Sequence, residues 1–347
     1  MTNFEVSCHR EMHIDEEWDE LAITSGASSI FMTSKWLTAW SETLGKDVPL
    51  AAIRVRVEGV LVAAGAFANY SGYIQFAGKG ATDYSEILLH KELSSTNSTR
   101  CINIILETLF EVYDKFHSFQ FSRIPQYARC LNTFEECQYL CDIEEQIVAP
   151  NMAMVAAPDA LRKKSLRRHH KSLAKLGDLR IQTVSTANEI RPLLNEFFEL
   201  HIKRWQATQT PSVFVSDNHR RFFLKLTGYA DSSNWLRFTE VRLDGYLIAA
   251  HFGFLVDKRF IWYKPCYDPD YAKHSPGEVM LKHLIETSLH EEATIFDFTL
   301  GNEKFKLRFA TDLPVLKRVY LTDSHSQILT RRLKRSLKRH MPWVRAN

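Results

Sequence analysis

The sequence predicts an α+β protein of α/β layers, with two lobes that are each a mixed, mostly antiparallel sheet flanked by helices. Three observations predict it. The 347 residues exceed one ordinary domain of about 100–200 residues. Two hairpin signals recur, Glu58-Gly59 between apolar runs 50–57 and 60–67, and Asp244-Gly245 between runs 235–243 and 246–256. The charge also changes sign near residue 150, with 11 Lys/Arg against 21 Asp/Glu before it and 33 against 20 after it.

Taken in order, the first half reads as helices over 14–22 and 34–44, the latter capped by Thr33 or Ser34 and stopped by Gly45. The hairpin follows, then a strand over 73–77, an amphipathic helix over 97–116 and a buried strand over 117–121. The second half reads as a helix over 189–206, the second hairpin, a strand over 259–267 and a helix over 278–290. A strand over 294–298, a short helix over 302–311 and a strand over 315–322 complete it. This divides the chain into an N-terminal lobe (1–150), a basic helix and linker (151–188), a C-terminal lobe (189–322) and a basic amphipathic tail (323–347). The last strand or the tail is free to pack back on the first lobe.

Composition excludes several classes. Hydrophobic residues make up 45% and Phe alone numbers 22, which needs a core and excludes bulk disorder. Gly at 13 and Pro at 11 exclude collagen-like chains. The longest charge-free apolar stretch, 246–256, is shorter than the ~20 residues of a membrane span. Met1-Thr2-Asn3-Phe4-Glu5 lacks a signal-peptide pattern, and six cysteines without a C-x-x-C read as reduced thiols, so a cytoplasmic location and no bound metal are expected.

Two segments carry the whole basic excess after residue 150. Residues 162–171 hold six Lys/Arg and residues 331–345 hold seven, neither with an acid. Leu161, Leu166, Leu173 and Leu176 give the first a narrow apolar edge, with Gly177 as C-cap; Ile328, Leu329, Leu333 and Leu337 do the same for the tail. Such faces are either merely solvated or attract phosphates of nucleotides, nucleic acids or anionic lipids, and charge alone does not choose.

Ser275-Pro276-Gly277-Glu278 reads as a capping box with proline at the first helical position, following directly on a strand and an Asp-Pro turn. Amides at such a helix end can cradle a pyrophosphate or carboxylate, which makes Lys273, Ser275, Gly277 and Glu278 candidate donor-binding residues. Asp297 lies in the apolar run Phe296-Asp297-Phe298 and needs a partner, with Lys304, Lys306 and Arg308 as the candidates, or else a wet cleft. His251 reads either as a core residue or as a base for an amine or hydroxyl. G-x-S-x-G, H-E-x-x-H, the phosphate-binding loop and the dinucleotide fingerprint are absent.

Across 236–310, Tyr263, Tyr267-Asp268-Pro269 with Tyr271, Ser275-Pro276-Gly277, Phe296-Asp297-Phe298 and Gly301-x-Glu303-x-Phe305-Lys306 together resemble GNAT-superfamily acyltransferases. Within these the chain is similar to the CelD-like branch, related to the FemAB peptidyltransferases. Phe31 to Trp36 with Trp40, Gly80 to Tyr84, and the basic helix 162–176 resemble that branch's earlier motifs, so the likeness spans about 30–322. The resemblance implies two GNAT-like lobes and a second lobe that binds acyl-CoA, acetyl-CoA among them. It implies transfer to an amine or hydroxyl of an envelope or polysaccharide precursor by direct attack, with Lys306 assisting and Tyr267 and Asp297 beside it. Trp36, Asp83, Tyr84 and Tyr263 become its acceptor-contact candidates. An aminoacyl-tRNA donor and a non-catalytic anion- or lipid-binding module are the alternatives, and the basic tail suits an anionic membrane. One departure is plain: the [RQ]-x-x-G-x-[GA] loop of many acetyl-CoA-binding relatives is here Lys273-His274-Ser275-Pro276-Gly277.

Overall fold

The structure is a computed structural model that describes residues 3–25, 29–113, 118–206 and 208–340. The chain forms two compact units, one of Met1–Ser41, Gly45–Ile147 and Val315–Asn347, the other of Glu42–Leu44 and Val148–Pro314. In chain order the elements begin β1 (Phe4–His9), α1 (Glu16–Thr24), α2 (Ser34–Ser41), β2 (Leu50–Val57), β3 (Val60–Tyr70), β4 (Tyr73–Phe76), β5 (Leu88–Leu89) and α3 (Ser95–Val112). Then follow β6 (Ser118–Pro125), α4 (Arg129–Thr133), β7 (Leu140–Val148), β8 (Asn151–Ala153), α5 (Ala157–Leu161), α6 (Lys164–Ala174) and β9 (Leu179–Val184). The remainder is α7 (Ala187–Ile190), α8 (Leu194–Trp205), α9 (Asp217–Gly228), α10 (Ala230–Ser233), β10 (Leu236–Leu243), β11 (Tyr246–Val256), β12 (Arg259–Tyr267), α11 (Pro276–His290), β13 (Ile295–Asp297), α12 (Lys304–Phe309), β14 (Val315–Thr322) and α13 (His325–His340).

Both hairpins form where the turn dipeptides place them. Glu58 and Gly59 have φ of 51° and 81°, and Asp244 and Gly245 have 51° and 85°, so each turn has the two positive φ values that match strand twist. The first sheet runs β1-β2-β3-β4-β6-β14-β7, with β5 on β3. Against it α3, capped by the Ser94 hydroxyl accepting the Asn97 N–H at 3.2 Å, buries Cys101, Ile102, Ile105, Leu106 and Leu109. Phe121 anchors that core, 4.6 Å from Phe76 and 5.6 Å from both Phe67 and Phe134 between ring centroids.

Boundaries differ from expectation where local chemistry intervenes. Pro192 lacks an N–H, so the predicted helix 189–206 is α7, a 3₁₀ turn over Arg191–Leu193 and then α8. The predicted helix 162–176 is α6 alone and ends before Gly177, whose open side is filled by the Asp244 carboxylate. The strand at 117–121 is β6, beginning at Ser118; residues 114–117, where a helix end was expected, lie outside the described residues.

The chain's end packs back on the first lobe, the arrangement the sequence left open, so the expected C-terminal lobe boundary at 322 moves back to 314. Strand 315–322 is β14 and lies between β6 and β7 of the first sheet, pairing Leu316 with Pro125 and Leu321 with Phe119. Helix α13 follows in the same unit, so the tail is docked rather than free. Arg335 forks onto the Asp142 carboxylate at 2.7 and 3.1 Å, with Arg331 and Arg332 each within 3.8 Å of it. Truncation after Pro314 removes an interior strand and should abolish the cooperative unfolding of the first unit. Truncation after Asp323 should keep that transition at a lowered midpoint, because a buried carboxylate loses its partners at a cost of about 3 kcal/mol. Thermal melts followed by circular dichroism test both.

Candidate functional site

The second sheet runs β8-β13-β12-β11-β10-β9, and its one parallel pair is β12 with β13. That pair is short: Arg259 faces Ile295, Phe260 faces Phe296 and Ile261 faces Asp297, where β13 stops while β12 continues to Tyr267. Asp297, 2% exposed, holds the point of parting. One oxygen accepts the Thr299 N–H at 2.8 Å, the other lies 3.1 Å from Arg259 Nη1, and the Thr299 hydroxyl donates to the Trp262 carbonyl at 3.1 Å. The expected partners Lys304, Lys306 and Arg308 are therefore corrected to Arg259, which parallel register sets two residues back along the neighbouring strand. Lys306, 5% exposed, donates instead to the Leu300 carbonyl and pairs with Glu303 at 3.1 Å. Asp297 and Lys306 thus line the chain that leaves β12.

Tyr267 lies at the other end of the same strand edge, six residues of extended chain beyond Ile261, or roughly 20 Å. The expectation that it stands with Asp297 and Lys306 is corrected accordingly. Its ring is stacked under the Arg204 guanidinium at 4.5 Å, and a Cβ on Gly277 would lie 3.6 Å from it. Between Tyr267 and α11, a 3₁₀ turn over Pro269–His274 presents Lys273 to solvent. Lys203 bridges Asp268 and Asp270 at 2.7 Å each, and those hydrogen bonds, that to Asp268 foremost, raise its pKa.

The capping box at α11 does not form. Ser275 adopts φ 53° and ψ 56°, a left-handed conformation in which its hydroxyl makes no cap hydrogen bond, and its carbonyl receives the Glu278 and Val279 amides. The Gly277 N–H has no acceptor among the described residues. Glu278 instead clasps three helices, 3.0 Å from His169 Nδ1 on α6 and 2.7 Å from Arg308 Nη1 on α12. Ser172 and His274 Nδ1, 2.7 Å apart, fasten α6 to the turn. With Leu166 and Leu173 buried beneath, α6 presents Lys164, Arg167, Lys171 and Lys175 outward at helical steps, and none of the four forms an ion pair among the described residues.

His251 is a core residue. It is fully buried and stacks on Trp262 at 4.8 Å; its Nε2 accepts the Tyr263 N–H at 3.2 Å, and burial pushes its pKa down to about 3. A nitrogen so occupied takes no proton from a substrate. Gly253 is required beside it, since a Cβ there would collide with the imidazole and the Ile261 carbonyl. Tyr263, 4% exposed, stacks on Phe223 at 6.0 Å, with Lys264 Nζ 4.2 Å from its ring. In the first unit, Trp36 and Tyr84 pack edge-on against Phe31 at 4.9 and 5.5 Å, the Trp36 N–H donates to Thr82 at 3.0 Å, and Asp83 lies 3.7 Å from Arg123. These three are brought together as the buried support of the 78–87 segment.

Sequence reasoning missed His201, on α8. It hydrogen-bonds Ser212 at 2.8 Å and stacks on Trp205 at 5.7 Å; burial first, then the Lys264 charge, lowers its pKa to about 3. It also missed Arg259 and the pairing of Arg308 with Glu278, contacts that span 38 and 30 residues, beyond any local pattern.

Residues 160–307, which span α6, the parting strands and α12, match the family described as an acetyltransferase (GNAT) domain. The matched stretch lies within the second unit, which to that extent is similar to the GNAT family. No curated protein matches the sequence. Among solved structures, FemX is similar at TM-score 0.64 and 11% identity, covering 90% of this chain and 97% of that one. The C-terminal domain of a putative lysylphosphatidylglycerol synthetase from Agrobacterium fabrum is similar at 0.61 and 10%, covering 93% and 95%. A tandem GNAT protein from the clavulanic acid biosynthesis pathway is similar at 0.54 and 12%, covering 92% and 98%. The fold is therefore that of two GNAT-like lobes; the CelD-like branch is not singled out. No helix among the described residues is long and apolar enough to cross a membrane, and no group of three His, Cys, Asp or Glu there is placed to hold a metal.

Two predictions follow from the buried charges of the second unit. Arg259→Ala removes the guanidinium from a carboxylate 2% exposed and should cost about 3 kcal/mol in urea unfolding. His251 and His201 are held neutral, with pKa values near 3, while the unfolded chain takes up protons near 6.5. Their contribution is complete above the unfolded value and is lost as pH falls toward about 3, by up to about 1.4 kcal/mol per pH unit for each. His251→Gln should remove roughly half of that slope, read from urea midpoints at several pH values.

Proposed function

We propose that the second unit is a GNAT-type acyltransferase that takes acyl-CoA, acetyl-CoA among them, along the open edge of β12. The observation that carries this reading is the early parting of β13 from β12, which leaves the rest of β12 open up to the turn that leads to a helix start at Pro276. An elongated donor can lie in that opening, with its phosphates at the Gly277 amide, near Lys273 and the exposed cations of α6, and its thioester toward Trp262. Tyr267 then flanks the phosphate end and Lys306 the transfer end.

The acceptor amine or hydroxyl attacks the thioester carbonyl, the carbon–sulfur bond breaks, and the acceptor's proton ends on the coenzyme A sulfur. Lys306 stabilises the oxyanion that forms on the way. An envelope or polysaccharide precursor as acceptor rests on the motif resemblance to the CelD-like branch. The unpaired cations of α6 and the likeness in fold to FemX favour one second reading, an aminoacyl-tRNA donor, whose binding would fall steeply with salt.

Gly277→Asp sets a carboxylate against the donor phosphates and should weaken coenzyme A binding at least tenfold, about 1.4 kcal/mol or more, whereas Gly277→Ala meets only an ordinary contact with Tyr267 and should bind normally. Lys306→Ala should lower turnover by roughly a hundredfold with donor affinity kept. Calorimetry with acetyl-CoA on the full chain is the direct test: no heat with coenzyme A thioesters but saturable binding of charged tRNA transfers the site to the second reading, and binding of neither leaves a non-catalytic module.

A further inference from the structure

We infer that α13 is a membrane-surface anchor, a preformed amphipathic helix held with its leucines outward for an anionic bilayer. Ser324 starts the helix, and Ile328, 5% exposed, seats it. Arg331 lies over the Tyr320 ring at 4.2 Å, Arg335 forks onto the buried Asp142, and the guanidiniums of Arg332 and Arg335 donate to the Cys141 and Ile143 carbonyls of β7 at 3.3 Å each. This clamp fixes the helix's rotation. At 100° per residue, Leu329 and Leu333 then lie more than a quarter of a turn away from Ile328, and they are 59% and 64% exposed. Arg332 stands on one flank of that pair and Lys334 on the other, and the four-residue step continues in the sequence at Leu337.

Charge decides the occupant. From His325 to His340 there is no acid and there are six Lys/Arg, three of them engaged with the first unit. A second copy would bring two acid-free basic helices together over a patch of two leucines, far below the ~1,200 Å² of a stable interface. A nucleic acid would use the cations and gain nothing from the leucines. An anionic lipid surface uses both, since apolar side chains sink to the acyl boundary while flanking cations meet the headgroups. The clamp spares the fold an unpaired buried carboxylate and leaves the leucines no place in their own unit.

The test is sedimentation of the full chain with vesicles of phosphatidylcholine alone and of an equimolar mixture with phosphatidylglycerol. Binding is expected to the mixed vesicles only, and Leu329→Ser with Leu333→Ser should lower it at least tenfold with an unchanged thermal transition, because both side chains are already exposed. Mixed-vesicle binding that survives the leucine changes, or that homopolymeric RNA matches in affinity, would show charge acting alone and overturn the proposal. So would failure of the native chain to bind mixed vesicles, including the case in which it self-associates through the leucines instead.

Discussion

The organisation of the second unit depends on a single carboxylate. Asp297 divides its oxygens between the Arg259 guanidinium and the Thr299 amide, and so fixes where β13 lets go of β12. A buried carboxylate needs both kinds of partner, an opposite charge and hydrogen-bond donors, to remain ionised in the core. Meeting that need turns the chain sharply at Thr299, with φ at 54°, and the next residues run off toward α12. Beyond Trp262, β12 therefore has an edge that no strand of the unit covers, and backbone groups on such an edge require water or a ligand. The opening follows from where a charge had to be satisfied.

The same rule, that buried ions are neutralised locally, separates the structural charges from those left for solvent. Glu278 is used up by His169 and Arg308, and Asp142 by α13, so neither carboxylate adds free negative charge at the surface. What remains outside on α6 is a line of cations alongside the turn before α11, anchored by Leu166 and Leu173 rather than by its own charges. The imidazoles obey the converse rule. His251 and His201 sit where no acid compensates them, so the interior keeps them neutral and withdraws them from proton transfer. Lys306, by contrast, keeps its charge on the chain that runs on from Asp297, held by the Leu300 carbonyl and Glu303.

Much of the fold was legible locally. The two hairpins follow from Glu58-Gly59 and Asp244-Gly245, since turn type is a property of two residues and their positive φ values. Strand 259–267, the helix ending at His290 and strand 315–322 follow from apolar periodicity and nearby breakers. The capping box failed for an equally local reason that sequence does not reveal: Ser275 takes a left-handed conformation to end the preceding 3₁₀ turn, and one residue cannot both end that turn and cap the next helix with its hydroxyl.

By itself the sequence determined the two hairpins, the strands and helices that follow apolar periodicity, the sites of excess positive charge and the motif set that resembles GNAT enzymes, because each is encoded within a few tens of residues. Only the tertiary structure decided that β14 belongs to the first sheet, that Arg259 rather than Lys306 answers Asp297, that Tyr267 and Lys306 stand at opposite ends of one strand edge, and which face of α13 meets solvent. Those outcomes are set by strand order, register and the neutralisation of buried charge. All three join residues 30 to almost 200 positions apart, where periodicity and spacing carry no signal.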